Sequence, residues 1–127
     1  MTTESPVLLD SDLSVPVFIR GKVRDTYQLG DRLLIIATDR VSVFDVVLPN
    51  GIPDKGKVLN QISAFWFEKT GHIIPNHLIE VIYDTAALDA YLPPDVRFSY
   101  PDYLSGRSMV VRKAERIDIE WVVRGYI

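Results

Sequence analysis

Hydrophobic and polar residues alternate along residues 16–29. Odd-numbered positions include the apolar residues Val17, Ile19, Val23, Tyr27 and Leu29. Even-numbered positions include the cations Arg20, Lys22 and Arg24. This alternation predicts a half-buried strand, within which Gly21 can turn the chain. A turn at Gly30-Asp31 and an apolar run over residues 32–38 then predict a second strand. We expect that strand to be buried on both faces and paired with the first in an antiparallel hairpin.

A helical period replaces the alternation over residues 55–70. Apolar side chains recur at helical spacing, and we expect them to face the core: Val58, Leu59, Ile62, Phe65 and Trp66. Asp54 is placed to cap the first turn, and Gly71 suits the position after the last turn. Phe65, Trp66 and Phe67 are interpreted as core residues and not as a platform for stacking a base.

The remaining elements are shorter. Residues 41–48 predict an extended segment, followed by turns at residues 49–51 and 53–54. Residues 84–103 are interpreted as irregular, with a helical turn near residues 86–91. Further strands are predicted over residues 77–83, 108–114 and 117–126, the last two joined into a hairpin at Glu115-Arg116. This order of elements predicts an α+β fold with a mostly antiparallel sheet and one main helix.

Composition and charge narrow the classes of function. A length of 127 residues suits one domain, which we divide into a flexible N-terminal arm over residues 1–15 and a folded lobe over residues 16–127. A net charge of -3 excludes a broad electrostatic attraction to nucleic acid or to an anionic membrane. There is no cysteine and no secretory signal pattern, and the longest apolar run, residues 33–37, is too short to cross a bilayer. We therefore expect a cytoplasmic protein.

A glycine-bearing turn with neighbouring cations, at residues 21–25, is the first candidate for chemistry. Glycine lets the backbone approach a ligand closely, while Lys22 and Arg24 offer positive charge to a phosphate. Such a turn can cover nucleotide phosphates, although a solvent-exposed hairpin remains the alternative. The segment is not a Walker A loop, because the Gly-Lys-Ser or Gly-Lys-Thr ending is missing.

Three further polar groups are candidates, each with a structural alternative. Residues 39–45 place two acids, an arginine and a serine after a buried strand, where a turn with a surface ion pair is the alternative. Lys55 and Lys57 begin the helix, where free amides favour anions, unless this is an ordinary helix start. Glu120 and Arg124 share one face of the last predicted strand, either as the floor of a cleft or as a surface ion pair.

No metal site is predicted within the chain. The two histidines, His72 and His77, lack acidic or histidine neighbours at ligand spacing and are interpreted as structural or exposed. A magnesium site, which ATP chemistry normally requires, cannot be assembled from this sequence.

Four segments, in this order, resemble the SAICAR synthetase family, the phosphoribosylaminoimidazole-succinocarboxamide synthases of purine biosynthesis. They are GKVRDTY at residues 21–27, ATDRVSVFD at 37–45, GIPDKGKVLNQISAFWF at 51–67 and VVRKAERIDIEWVVRGY at 110–126. The resemblance extends from about residue 18 to residue 127. Family members continue beyond the last segment, so we expect this chain to be their N-terminal part and to be inactive alone.

The resemblance implies an ATP-dependent ligase that forms a carbon–nitrogen bond. ATP phosphorylates the carboxylate of carboxyaminoimidazole ribonucleotide (CAIR), and the amine of L-aspartate then displaces the phosphate, giving SAICAR and ADP. The cofactors implied are ATP and Mg²⁺, with the metal ligands expected in the further C-terminal part. The partners implied are these small molecules, with no nucleic acid and no membrane. The family's small lobe is similar to the N-lobe of protein kinases, in agreement with the strand-rich pattern.

The resemblance also assigns residues to roles. The turn formed by Gly21, Lys22, Val23 and Arg24 matches the family's phosphate-covering turn, with Lys22 acting in catalysis. The strand and hinge beside adenine are matched by Val111, Arg112, Lys113, Ala114 and Arg116, and Glu120 follows in the same cleft. The ribonucleotide side is matched by the catalytic candidates Asp45 and Arg124, with Lys55, Lys57 and Asn60 as further substrate contacts.

Two other classes of function remain open from the sequence. A stand-alone, non-catalytic nucleotide-binding module would use the same turn and would need no metal-binding acids. A kinase-like phosphotransferase is a third interpretation, but the chain has neither an HRD-type nor a DFG-type segment.

Overall fold

The computed structural model describes residues 6–93 and 100–127. The elements, in chain order, are β1 (Val17–Arg20), β2 (Arg24–Leu29), β3 (Arg32–Ala37), β4 (Arg40–Val43), β5 (Val46–Gly51), α1 (Lys55–Thr70), β6 (Leu78–Ile82), two 3₁₀ turns (Thr85–Tyr91 and Asp102–Leu104) and β7 (Ser108–Arg112). This is the predicted α+β class, with one long helix among the described residues. None of the helices in these residues combines the length and the apolar character that a membrane crossing requires.

The main sheet has five strands in the order β1-β2-β3-β7-β6, and every neighbouring pair is antiparallel. Turns at Gly21 and at Gly30, which has a φ of 60°, connect the first three strands. The single strand predicted over residues 16–29 is thus two strands, β1 and β2, which pair with each other. The last strand of the chain, β7, lies between β3 and β6. Leu34 of β3 therefore pairs with Tyr27 on one side and with Val110 on the other.

The sheet buries a different set of side chains on each face, because successive residues of a strand point to opposite sides. On one face the fully buried strand residues lie under the N-terminal arm and the 3₁₀ turns: Tyr27, Leu29, Leu34, Ile36, Ile82 and Val110. On the other face α1 contributes Phe67, which packs with Leu33, Met109 and Val111. Residues from every strand of the main sheet except β1 thus take part in one of the two cores.

Over residues 6–15 the N-terminal arm lies against the sheet. The Ser11 hydroxyl lies 2.7 Å from Asp25 Oδ2 and 2.9 Å from the Tyr27 hydroxyl. The Leu8 N–H donates to Asp39 Oδ2 at 2.8 Å, and Val15 is buried. Polar partners inside the fold, which sequence periodicity cannot reveal, hold these residues. Residues 1–5 of the predicted arm lie outside the described residues.

The segment predicted to be simply extended, residues 41–48, is a separate two-stranded hairpin. Strands β4 and β5 turn at Phe44 and Asp45, whose φ angles are 49° and 64°. Two successive left-handed residues form the tight hairpin turn that Asn-Gly usually occupies. Because residues 44 and 45 are Phe and Asp and not Asn-Gly, the sequence pattern did not predict a turn there. It predicted a turn at Pro49-Asn50-Gly51, and these residues lie in β5.

Helix α1 has the predicted bounds, but the predicted apolar stripe is not its buried face. About half of the surface of Val58, Ile62, Phe65 and Trp66 is exposed, and the buried positions are Gly56 and Asn60. The helix approaches the sheet through its small and polar residues. A Cβ on Gly56 would lie 2.0 Å from Ala37 O, and Asn60 Nδ2 donates to Gly106 O at 3.1 Å.

The hairpin predicted from strands over residues 108–114 and 117–126 is not formed. Strand β7 is present, but residues 113–127 are exposed and pair with no strand of the described chain. The reason is topological, because β3 and β6 already occupy both edges of β7. A hairpin partner at residues 117–126 would have to displace one of them.

The start of α1 is capped by a distant residue. Asp54, the predicted cap, has a φ of 63° and makes no side-chain cap bond. Instead Asp39 Oδ1, at the end of β3, accepts from the Gly56 N–H at 2.8 Å. Both oxygens of Asp39 also accept from Arg107, at 3.0 and 3.3 Å. This buried pair joins β3, α1 and β7 at one point.

We expect Asp39→Asn to destabilise the fold by about 3–5 kcal/mol, because the variant leaves the Arg107 guanidinium buried without a counter-charge. The matched control is Asp54→Asn, which removes only a half-exposed pair with Lys57 at 3.7 Å and should cost at most about 0.5 kcal/mol. Urea denaturation measures both. Equal losses in the two variants would contradict capping by Asp39.

Candidate functional site

The turn between β1 and β2 is fastened by hydrogen bonds on one side: three consecutive carbonyl groups of the turn accept bonds from Arg40 and Thr38. Gly21 O accepts from Arg40 Nη2 at 3.0 Å, and Lys22 O accepts from Arg40 Nε at 3.1 Å. Val23 O accepts from the Thr38 hydroxyl at 2.7 Å and from the Thr38 N–H at 2.9 Å. The turn itself is closed by a bond from the Gly21 N–H to Arg24 O, at 2.7 Å.

This fastening fixes the direction of the turn's amide groups. In a trans peptide the carbonyl and the following N–H point in opposite directions, and the described residues contain no cis peptide. With the carbonyls of Gly21 and Lys22 directed at Arg40, the N–H groups of Lys22 and Val23 point away from the fold. Successive outward N–H groups in a turn are a common way to bind an anion.

Arg40, which holds the turn, is itself almost fully buried. Its guanidinium has five N–H donors. Besides the two turn carbonyls, it donates to Leu9 O at 2.8 Å and to both oxygens of Asp25, at 2.7 and 3.4 Å. The five bonds use all five donors. The Asp25 side chain has no exposed surface.

The carboxyl group of Asp25 is kept ionised inside the protein. Burial pushes its pKa up, but hydrogen bonds from Arg40 and Ser11 outweigh burial and hold the pKa below its usual value. Asp39 behaves in the same way, because burial is outweighed by bonds from Arg107 and from the N–H groups of Leu8 and Gly56. Both acids therefore act as fixed negative charges that their arginines neutralise.

Cations without such internal partners surround the turn. Lys22 pairs with Asp45 across the gap between the β1–β2 and β4–β5 turns, and this contact lowers the pKa of the Asp45 carboxyl. Burial and the nearby positive charge of Arg24 lower the pKa of Lys55, against the attraction of Asp39. Neither Arg24 nor Lys55 forms an ion pair with a carboxylate among residues 6–93 and 100–127. Two adjacent cations are thus left uncompensated.

A cavity of about 300 Å³ lies between the sheet and α1, with Arg24 in its lining. Ile35, Phe67 and Met109 supply apolar walls, and His77, whose pKa is lowered by burial, adds a polar group. Arg24 therefore borders a partly open, largely apolar space.

Comparison with known proteins decides the family. The SAICAR synthetase family model matches residues 17–127. The chain belongs to the SAICAR synthetase family.

Individual relatives agree with this assignment. The phosphoribosylaminoimidazole-succinocarboxamide synthase of Elusimicrobium minutum (strain Pei191) is 53% identical over 118 residues, which cover 93% of this chain and 39% of that protein. The synthase of Thermodesulfovibrio yellowstonii (strain ATCC 51303 / DSM 11347 / YP87) is 51% identical over 122 residues, 95% of this chain and 39% of that protein. The chain thus spans about two-fifths of the length of these curated relatives.

A solved structure of the family shares the fold. The structure of SAICAR synthase from Saccharomyces cerevisiae in complex with SAICAR superposes with a TM-score of 0.69 at 38% identity. The superposition covers 84% of this chain and 36% of the yeast chain. The antiparallel sheet with its single long helix is therefore the arrangement of this part of the SAICAR synthetase fold.

The structure brings together only some of the residues that the resemblance to SAICAR synthetase assigns to the site. Lys22 contacts Asp45, and Arg24 lies close enough to Lys55 to affect its pKa. Lys57, at the same helix end, pairs with Asp54 at 3.7 Å. Two assigned groups, the phosphate-covering turn and the first residues of α1, therefore meet around the end of β3.

Asn60 has a structural role in the described chain. Its side chain is buried, and Nδ2 donates to Gly106 O and Ser108 O, which ties α1 to β7. The predicted ribonucleotide contact stays a prediction, and it would have to be made through the little surface that Asn60 leaves exposed.

The hinge and the last segment are only partly positioned. Val111 is buried in the α1-side core, while Arg112 and Ala114 are exposed. The Lys113 ammonium lies 5.0 Å from the centre of the Phe18 ring. In residues 113–127, Arg116 pairs with Asp118 at 2.8 Å, and neither Glu120 nor Arg124 forms a hydrogen bond or ion pair with another described side chain. The predicted sites at these residues remain untested predictions.

The sequence pattern did not predict the buried, structural roles of the residues that shape the site, namely Asp25, Thr38 and Arg40. Residues 39–45 were identified only as a polar group with a surface ion pair as the alternative, whereas Asp39 and Arg40 are buried. A signal was present in the parity of β2, because Asp25 has the same parity as the buried Tyr27 and Leu29. An acid on the apolar side of a strand requires a buried partner.

The lowered pKa values of Asp25 and Asp39 predict acid lability. Unfolded aspartate protonates near pH 4, so the stability from these acids is present above about pH 4. It is lost as the pH falls through the lower pKa values of the folded state. We expect Asp25→Asn to be less stable at neutral pH and to lose less stability in acid, measured by urea denaturation across a pH series. An acid-induced loss of unchanged size in Asp25→Asn would contradict the lowered pKa of that group.

Proposed function

We propose that this chain is the nucleotide-phosphate-binding part of an ATP-dependent ligase that makes SAICAR. The observation that carries the proposal is the fastened turn at residues 21–24, whose Lys22 and Val23 N–H groups point outward beside the uncompensated cations Arg24 and Lys55. Outward amides and cations that lack an internal anion are the features that a polyphosphate requires. Membership of the SAICAR synthetase family supports ATP as that ligand.

The proposed reaction has two steps. The carboxylate of CAIR attacks the γ-phosphorus of ATP, forming an acyl phosphate while the bond to ADP breaks. The amine of L-aspartate then attacks the acyl carbon, phosphate leaves, and the nitrogen loses a proton to give the amide of SAICAR. Positive charge near the transferring phosphoryl group lowers the barrier of the first step, because negative charge accumulates on its oxygens.

The residues near the turn take the phosphate roles in this proposal. Gly21 and Val23 let the backbone lie over the phosphates, and Lys22, released from Asp45, contacts them directly. Arg24 and Lys55 supply charge from the side of the sheet and the helix. The gap between Lys22 and Asp45 then separates the nucleotide from the ribonucleotide, so that Asp45 faces the second substrate.

The other proposed contacts follow the family resemblance. We place adenine beside Val111, Arg112, Lys113, Ala114 and Arg116, with Glu120 in the same cleft. Arg124 and Lys57 would contact the ribonucleotide, with Asn60 at its margin. A cytoplasmic location stays a prediction.

The residues present fit the phosphates of ATP but do not provide a magnesium site. No group of three acidic, histidine or cysteine side chains that could hold a metal lies within the described part of the chain. We therefore assign no metal ligand to the described residues. The protein's own contribution to phosphate binding is the fastened turn and its cations.

The activity is tested with the polypeptide as its source cells make it. ADP release should require ATP, Mg²⁺, CAIR and L-aspartate together, and SAICAR should form in equal amount. Release of ADP without CAIR, or none with all four present, would overturn the ligase assignment. Tight ATP binding without any ADP release would instead support the non-catalytic nucleotide-binding module.

We expect Lys22→Met to raise the KM for ATP by about tenfold, because it removes one charge-assisted phosphate contact worth about 1.5 kcal/mol. The KM for L-aspartate should not change. The matched control is Lys69→Met, which removes an exposed lysine at the other end of α1. Initial-rate kinetics of both variants decide the point. An equal KM for ATP in Lys22→Met and Lys69→Met would remove Lys22 from the phosphate site.

A further inference from the structure

We propose that Arg40 is a positioning residue, which orders the β1–β2 turn for phosphate binding without touching the phosphate. The phosphate part of this inference rests on the proposed function, whereas the ordering of the turn does not. Arg40 belongs to none of the groups assigned to the ligand, and its buried side chain faces the inner side of the turn.

Arg40 makes two hydrogen bonds to the turn that an ion pair with Asp25 would not require. An arginine that only neutralised Asp25 would need two of its five donors. Here Nε and one Nη2 hydrogen go to Lys22 O and Gly21 O instead, at 3.1 and 3.0 Å. These two carbonyls belong to the peptide units whose N–H groups, on Lys22 and Val23, point outward. Arg40 therefore sets the orientation of the two proposed phosphate donors.

The turn needs this support because its sequence is flexible. Gly21 has the widest backbone freedom of any residue, and without the bonds from Arg40 the two peptide units could rotate. Binding of an anion would then include the entropy loss of ordering these peptide units, which would weaken the affinity. Asp25 fixes Arg40 in turn, since it is fully buried and binds both Nη atoms. The order of the outer turn is thus set by a buried charge pair.

Arg20 provides a natural control within the same cluster. Its Nη1 lies 3.1 Å from Asp25 Oδ2, so it shares the same buried acid. Its other bonds go to Ser11 O and the Tyr27 hydroxyl, and none goes to a carbonyl of the turn. A change at Arg20 therefore perturbs the charge cluster but leaves the turn's fastening in place.

The first test compares Arg40→Lys with Arg20→Lys in the polypeptide as its source cells make it. Lysine keeps the charge beside Asp25 but cannot supply the fork that reaches both carbonyls. We expect Arg40→Lys to raise the KM for ATP by about tenfold with kcat and the KM for L-aspartate within about twofold. Arg20→Lys should leave all three unchanged. Equal effects of the two variants on the KM for ATP would overturn the positioning role.

The second test needs no activity and separates this inference from the proposed function. The Gly21 N–H is held by Arg24 O only while the turn is closed, at 2.7 Å. In the ligand-free protein, Arg40→Lys should speed hydrogen exchange at Gly21 about tenfold relative to Val110 in the central strand β7, and Arg20→Lys should not. Unchanged Gly21 exchange in Arg40→Lys would overturn the ordering role, even if the enzyme proved to use no ATP.

A third variant keeps the inference testable if Arg40→Lys fails to fold. Thr38→Val retains the shape of the side chain and the backbone bond to Val23 O. It loses the hydroxyl bond to Val23 O at 2.7 Å and the bond that the hydroxyl oxygen accepts from the Arg40 N–H at 3.3 Å. As in Arg40→Lys, we expect the KM for ATP to rise and hydrogen exchange at Gly21 to become faster, but each by only about threefold. No change in either quantity would overturn the proposal that fastened carbonyls order this turn.

Discussion

The buried pair of Asp39 and Arg107 is the interaction on which the rest of the fold depends. Asp39 lies two residues after the central strand β3. It accepts from the first turn of α1 and from the N-terminal arm, and it binds Arg107 ahead of β7. An unpaired charge at such a depth would cost several kcal/mol, so the three elements must meet there for the fold to be stable. The helix therefore reaches the sheet through Gly56, the one position where no side chain would separate it from the end of β3.

The next residue, Arg40, forms a second buried charge pair, with Asp25, beside the candidate site. Asp39 and Arg40 are adjacent and opposite in charge, yet they do not pair with each other. Asp39 binds Arg107 on the helix side, and Arg40 binds Asp25 on the side of the arm. Each charge is thus neutralised by a residue distant in sequence, and each bond ties a different part of the fold to β3. The order of the glycine turn is a consequence of where β3 ends.

Much of the strand framework could be predicted from the sequence, because period-two alternation and apolar runs report burial directly. The bounds of β2, β3 and α1 follow from such patterns. The failures have a common cause in long-range partners. The apolar stripe at Phe65 and Trp66 is exposed because the polar side of α1, at Gly56 and Asn60, makes the contact with the sheet. Local periodicity cannot show that Gly56 and Asn60 face the sheet while the rings of Phe65 and Trp66 are exposed.

The distribution of charges in the fold supports the proposal that this acidic chain binds a polyphosphate. The net charge is -3, which by itself would repel an anion. Inside the fold, however, Asp25 and Asp39 are already neutralised by arginines, so they contribute little field at the turn. Among residues 6–93 and 100–127, Arg24 and Lys55 form no ion pair with a carboxylate, and Lys22 shares only the exposed Asp45, in a pair that water screens. In the proposed function, a phosphate with several oxygens would displace that single carboxylate, because it would contact Lys22, Arg24, Lys55 and two backbone amides at once.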